Sequence, residues 1–261
     1  MTAGIGPVNR ERNTMMRRLV LAAVVGLMVT LMVSGCSWSD GDGALKGSGT
    51  VVTESRAVAG FSAVDLRGVG ILRVTQGSAE ALTIQTDDNL VPLITTEVRN
   101  GTLVIAIDTK DHPHGVDPTT LIYDLTVTSL QALSVAGAAQ VEGRSLTTDE
   151  LHLDMEGAAR VDFNQLQATT LHVTSAGGSA FTLAGTVDMQ EIVITGAGEY
   201  QAKALASRTT TVRITGAGHA TIAVVEALDA SIDGAGVIEY VGSPAVVQHV
   251  TGLGVVRQVG A

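Results

Sequence analysis

One heptapeptide recurs along the chain and sets most of what it can fold into. Its cleanest copies are Ile192-Val-Ile-Thr-Gly-Ala-Gly198 and Val212-Arg-Ile-Thr-Gly-Ala-Gly218; looser copies begin at Leu133, Leu153, Val173, Ala230 and Val250. The first glycine of each copy falls at 137, 157, 177, 196, 216, 234 and 252, in steps of 20, 20, 19, 20, 18 and 18 residues. A fixed period of that length marks a solenoid, in which each unit buries its apolar face only against its neighbours.

Within each copy the apolar residues keep one parity: Leu151, Leu153, Met155, then Val161 and Phe163; or Leu171, Val173, then Phe181 and Leu183. Alternation with period two is the pattern of a strand with one face inward. The glycines fall on the same parity midway. Gly137, Gly157, Gly177, Gly196, Gly198, Gly216, Gly218, Gly234 and Gly236 are therefore expected at inward positions of a bend, where a residue without Cβ permits positive φ. Twenty residues at about 3.3 Å each suit one coil of a parallel β-helix. No run carries a capped helical period. The Gly-x-Gly pairs lack the third glycine and following helix of a dinucleotide loop, and their repetition makes them structural. The chain is thus expected to be all-β, with β-helix repeats over 131–261.

Residues 50–130 are strand-rich but off the period. Leu90–Val98 and Leu103–Ile107 flank Asn100-Gly101, the strongest short hairpin signal because both turn residues take positive φ. A polar loop, Asp108–Pro118, follows. The core has to be aliphatic, since aromatics make up 3% of the 261 residues against 45% hydrophobic in all.

The N-terminus reads as processing signal rather than fold. Arg10, Arg12, Arg17 and Arg18 precede an apolar run of 15 residues, Leu19–Val33, shorter than the roughly 20 of a spanning helix. It ends in Val33-Ser-Gly-Cys36, which resembles the bacterial lipobox. The expectation is a lipoprotein signal peptide over 1–35, lipidation at Cys36 and a flexible tether over 36–49. Alternatives are a structural cysteine after a cleaved signal, or a short anchor helix. Cys36 is the one cysteine of the chain, so no internal disulfide can form. Ser37 after the cysteine accompanies outer-membrane sorting in Gram-negative lipoproteins. Removing 1–35 takes away four arginines and Glu11, and the net charge moves from −10 to −13, with 12 basic and 25 acidic residues. Such a surface disfavours nucleic acid and anionic membranes, leaving the lipid as the membrane attachment.

Three clusters are candidates for chemistry. Five residues before the glycine, His152, His172 and Glu191 stack on adjacent coils, about 5 Å apart, within reach of a shared Zn²⁺; the plainer reading is a solvated polar face. Asp111-His112-Pro113-His114 with Asp117 is a second metal-like group, or an ordinary turn. Asp154, Glu156, Arg160 and Asp162 could mimic the carboxylate and base cluster of a β-helix polysaccharide lyase, or simply decorate a solvated strand. No Gly-x-Ser-x-Gly elbow is present. Neither a catalytic residue nor a cofactor is assigned.

Taken together, Arg56-Ala-Val-Ala-Gly-Phe61, Val64-Asp-Leu-Arg-Gly-Val-Gly70, Asn89-Leu90 and the glycine ladder resemble the auto-transporter adhesin head GIN domain family over roughly residues 50–245. The resemblance implies a bacterial envelope protein, often a lipoprotein, whose strand-rich start runs into a right-handed β-helix. It supplies no catalytic or ligand residues. The expected function is non-enzymatic: a lipid-anchored cell-envelope protein, outer-membrane or periplasm-facing if the host is Gram-negative, adhesin-like or scaffolding, binding a glycan or envelope protein through a β-helix face. The alternatives are a carbohydrate-active enzyme on the same fold, against which the scarcity of aromatics (Trp38 in the tether, three tyrosines) weighs, and self-assembly through a sheet edge at Val250–Val256.

Overall fold

The computed structural model describes residues 43–260. The expected signal peptide, Cys36 and residues 36–42 of the expected tether lie outside the described residues. The rest of that stretch is not the flexible tether expected: Leu45–Lys46 pairs with Val116–Asp117, and Gly49 N–H bonds Asp87, so backbone pairing fixes it to the fold. Strands take 74% of those residues, with one three-residue 3-10 turn at Val91–Leu93. The chain runs through β1 (Leu45–Lys46), β2 (Val51–Arg56), β3 (Ala63–Gln76), β4 (Ala81–Asp87), β5 (Ile94–Arg99), β6 (Thr102–Ile107), β7 (Val116–Asp117) and β8 (Leu121–Val127). Then come the coils, each a nearly continuous bent strand: β9 (Ala132–Gly157), β10 (Arg160–Gly177), β11 (Ala180–Gly196), β12 (Glu199–Gly216) and β13 (His219–Gly234). The last coil is broken into β14 (Val237–Val241), β15 (Ala245–Gly252) and β16 (Val255–Gln258). Successive coils pair in parallel, and together they form a parallel β-helix of about six turns with roughly 20 residues per turn.

Register follows the alternation. Val141, Val161, Phe181, Tyr200, Ala220 and Ile238 are mutual neighbours in one inward column, all buried. A slip of one residue would turn such a column outward, so the apolar parity itself locks the pairing. The glycine steps fall from 20 to 18 because β12 bulges against β13: Ala202 faces Ile222, but the next matched pair is Ala206 with Ala223.

The corner differs from the inward position expected for both glycines. The first glycine of each pair has positive φ, +110° at Gly157, but Gly137, Gly157, Gly177 and Gly196 are exposed. The bend carries this residue to the outer rim, and counting parity across a bend fails there. Only the second position, Gly198, Gly218 or Gly236, is buried inside. A Cβ on Gly218 would lie 2.7 Å from the Ile194 side chain.

The ladder also starts earlier than residue 131. Gly68 of β3 stands opposite Gly137, and Ala63–Val74 pairs in register with Ala132–Gly143. β3 is thus part of the first coil, and the residues from β4 to β8 are an insertion between two coils. That insertion folds back on the coil it left: β6 pairs with Ala63–Arg67, β8 with Ile71–Gln76, and β5 and β4 extend the two pairs. It caps the first coil, which would otherwise expose an open edge. The hairpin at Asn100-Gly101 belongs to this cap, with φ of 51° and 77° at its two turn residues. Its first strand is shorter than expected because Pro92 lies in the 3-10 turn.

The cap is tied to the incoming chain by Asp87. Its buried carboxylate accepts the backbone N–H of Gly49 at 2.9 Å and of Thr119 at 2.8 Å. Burial raises its pKa, but these backbone N–H donors, with a further one at Thr120 and the Thr119 hydroxyl, outweigh it and leave the pKa below the usual value. A carboxyl with a lowered folded-state pKa stabilises the fold above its unfolded pKa, near 3.9, and loses that contribution as pH falls through the folded value. Asp87→Asn should therefore lower the melting temperature at pH 7 and shallow its decline below about pH 4; thermal melts of both proteins from pH 3 to 8 check this.

At the far end, β15 pairs with β13 on one side, and its residues are exposed along its length. Val247, Val250, Leu253 and Val255 are 54%, 43%, 86% and 44% exposed. The two ends of the solenoid are thus built differently, one covered by its insertion and one apolar.

Candidate functional site

The outward columns hold the chemistry. In-register pairing sets His172 directly between His152 on the coil before and Glu191 on the coil after. Neighbouring strands lie about 4.8 Å apart, so like side chains stack. The two imidazoles do so, with centroids 4.6 Å apart and planes 11° from parallel. All four side chains involved are part-exposed: 31% for His172, 44% for His152, 47% for Glu191 and 56% for Glu150.

Glu150 is the residue that column-by-column reading missed. Two positions before His152 on the same outward face, it brings Oε1 within 2.9 Å of His152 Nε2 and 3.6 Å of His172 Nε2. The signal lay in the alternation along β9 rather than across the coils. Glu191 takes a different place from the one expected of it. Its Oε2 sits 3.3 Å from Nδ1 of His172, on the opposite side of the ring from Glu150. Among the described residues, Glu150, His152 and His172 are the grouping whose ligand atoms all lie within 4.8 Å of one another. Asp111, His112, His114 and Asp117 form no such grouping; there the chain makes a turn closed by His112 N–H on Thr109 O at 2.9 Å and Gly115 N–H on His112 O at 2.8 Å.

The lyase-like quartet is divided by the Gly157 bend. Asp154 and Glu156 line a cleft of about 230 Å³ with Asp65 and Ser134. Arg160 pairs with Asp162 at 3.3 Å, and Asp162 borders a separate polar cleft of about 640 Å³ with Arg73, Asp124 and Glu142. Arg73 in that cleft is engaged by Glu142 at 3.3 Å and Asp124 at 3.8 Å. Asp154 and Glu156 thus line a different cleft from the one that Asp162, the partner of Arg160, borders.

Residues 60–244 match the family described as putative auto-transporter adhesin, head GIN domain. The chain belongs to this family. Solved structures share the fold of this head GIN domain. A putative adhesin from Bacteroides fragilis is 27% identical with a TM-score of 0.77, the match covering 83% of this chain and 100% of that one. A putative adhesin from Parabacteroides merdae is 25% identical with a TM-score of 0.65, covering 83% and 99%. A putative lipid binding protein from Parabacteroides distasonis, 22% identical with a TM-score of 0.71 over 83% and 100%, shares the fold. No curated protein matches the chain. The adhesin-like relatives point to a cell-surface or envelope location for this head GIN domain.

Proposed function

We propose that the chain is a lipid-anchored envelope protein that binds a glycan or another envelope protein through a face of its β-helix, without a catalytic step. The observation that carries this reading is the family match across 60–244, reinforced by the Bacteroides fragilis adhesin-like relative. Two further features support it. The coils present long, regular strips of outward side chains, a geometry suited to extended partners. The lipobox-like Val33-Ser-Gly-Cys36 supplies the attachment.

The test is retention of glycans or envelope proteins on the immobilised chain from residue 37 onward. Binding weakened by charge-reversing substitutions on one outward strip supports the reading; no retention of either class overturns it. The anchor is tested separately. Cys36→Ala should abolish incorporation of labelled fatty acid and shift the protein from the membrane to the soluble fraction. Labelling that persists in this variant would remove the lipid from the proposal.

A further inference from the structure

We infer that Glu150, His152 and His172 form a surface site for a borderline divalent transition-metal ion, of which Zn²⁺ is the representative, with Glu191 as the group that orients His172. The argument begins with the ring nitrogens. Glu191 Oε2 stands 3.3 Å from Nδ1 of His172. In the neutral tautomer protonated at Nδ1, on the Glu191 side, Nε2 is the nitrogen that carries the lone pair, and it lies 3.6 Å from Glu150 Oε1. A carboxylate on the far nitrogen of a ligating histidine is the usual outer partner of a zinc-bound imidazole: it fixes tautomer and ring orientation and raises ligand basicity.

The remaining contacts converge on the same spot. Nε2 of His152 is 2.9 Å from the same Oε1 of Glu150, and the three prospective ligand atoms all lie within 4.8 Å. Tetrahedral zinc with bonds of about 2.0–2.2 Å holds its ligand atoms roughly 3.3 Å apart. The observed separations bracket that value, and the four part-exposed side chains are free to make the small adjustment. The backbone beneath them is fixed, since His152, His172 and Glu191 occupy matched rungs of a parallel ladder. Two imidazoles and one carboxylate suit Zn²⁺, Ni²⁺ or Cu²⁺ and disfavour Ca²⁺ and Mg²⁺, which take oxygen ligands. Three protein ligands on an exposed face leave the fourth position for water or an outside donor. This inference is independent of the adhesin reading.

The experiment is calorimetric titration of the full-length, detergent-solubilised and chelator-stripped chain with ZnCl₂, and with CaCl₂ in parallel. One equivalent of Zn²⁺ should bind, and Ca²⁺ should give no heat. His152→Ala with His172→Ala should abolish binding, while Glu191→Ala should weaken it about 10- to 100-fold, the usual effect of losing an outer-shell partner. His112→Ala with His114→Ala should leave it unchanged. Melting temperatures in EDTA should be equal across all variants, which separates ligand loss from misfolding. Co²⁺ in place of Zn²⁺ should give a tetrahedral absorption band that is absent from the double variant. Zn²⁺ that produces no heat, binding that survives loss of both histidines, or Ca²⁺ binding as well as Zn²⁺ would each overturn the site.

Discussion

Gly157→Ala is expected to lower the unfolding free energy by about 3 kcal/mol, while Gly178→Ala, 21 residues on, should change it by less than about 1 kcal/mol. Gly157 has φ +110°, and a Cβ there would sit 2.5 Å from the carbonyl oxygen of Gly137 on the preceding coil. That oxygen is already in use, accepting the N–H of Ala158 at 3.0 Å. Any relief of the clash therefore strains φ or loosens a rung, and it moves the Gly157 carbonyl, on which Gly178 N–H bonds at 2.9 Å. A strained φ costs about 1–3 kcal/mol and a weakened hydrogen bond about 1 kcal/mol more. The summed loss corresponds to a fall in melting temperature of about 6–12 °C for a domain of this size. Gly178 is the control: its φ is not in the positive range and a Cβ would meet nothing within 4 Å. Thermal denaturation followed by circular dichroism decides the matter; equal losses at the two sites would refute this account of the ladder.

The second large effect concerns two tyrosines that look alike by burial. Tyr200 and Tyr123 are both fully buried, and burial pushes both phenol pKa values up, so each remains a protonated donor at any physiological pH. Tyr200 donates to Gln190 Oε1 at 2.8 Å, Gln190 Nε2 donates to Ser207 Oγ at 2.9 Å, and Ser207 Oγ donates to Ala223 O at 2.8 Å. Thr210 completes the chain at 2.7 Å from Ser207 Oγ. The Tyr123 hydroxyl has no hydrogen-bond partner among the described residues. Tyr200→Phe leaves the Gln190 carbonyl buried and unsatisfied, costing about 1–3 kcal/mol. Tyr123→Phe removes an uncompensated polar atom and should be neutral or stabilising by up to about 1 kcal/mol. Adding Gln190→Leu to Tyr200→Phe should cost less than the two single changes summed, because the members of a network couple. Urea unfolding of the four variants measures all of this, and Tyr123→Phe losing as much as Tyr200→Phe would sink the distinction.

The features legible in the sequence were those written in neighbouring residues. Parity along Leu151, Leu153 and Met155 marked the inward face, and Asn100-Gly101 marked its hairpin. The glycine spacing gave the coil length. What could not be read depended on distant pairing. Gly68 is a full member of the ladder, yet 69 residues separate it from Gly137, and the inserted cap hides the period. Parity alone puts the first glycine of each pair inside, but the bend there rotates the chain and turns it out of the core. In the histidine column, stacking of His152 on His172 followed from the period, whereas Glu150 and the outer role of Glu191 required side-chain directions that spacing does not encode.

The insertion between β3 and β9 has a consequence for the order of folding. Every coil beyond it finds its backbone partners on the coil made just before, at a separation of 17 to 20 residues. The first coil, by contrast, waits for Ala132–Gly143 on one side and is closed on the other by strands that have already been synthesised. A chain emerging N-terminus first can thus complete its slowest, longest-range pairing as a nucleus and then wind on one coil at a time against a finished edge. Such vectorial assembly needs no contact from the C-terminal end, and whole coils can be gained or lost beyond the nucleus without altering the step that starts the winding.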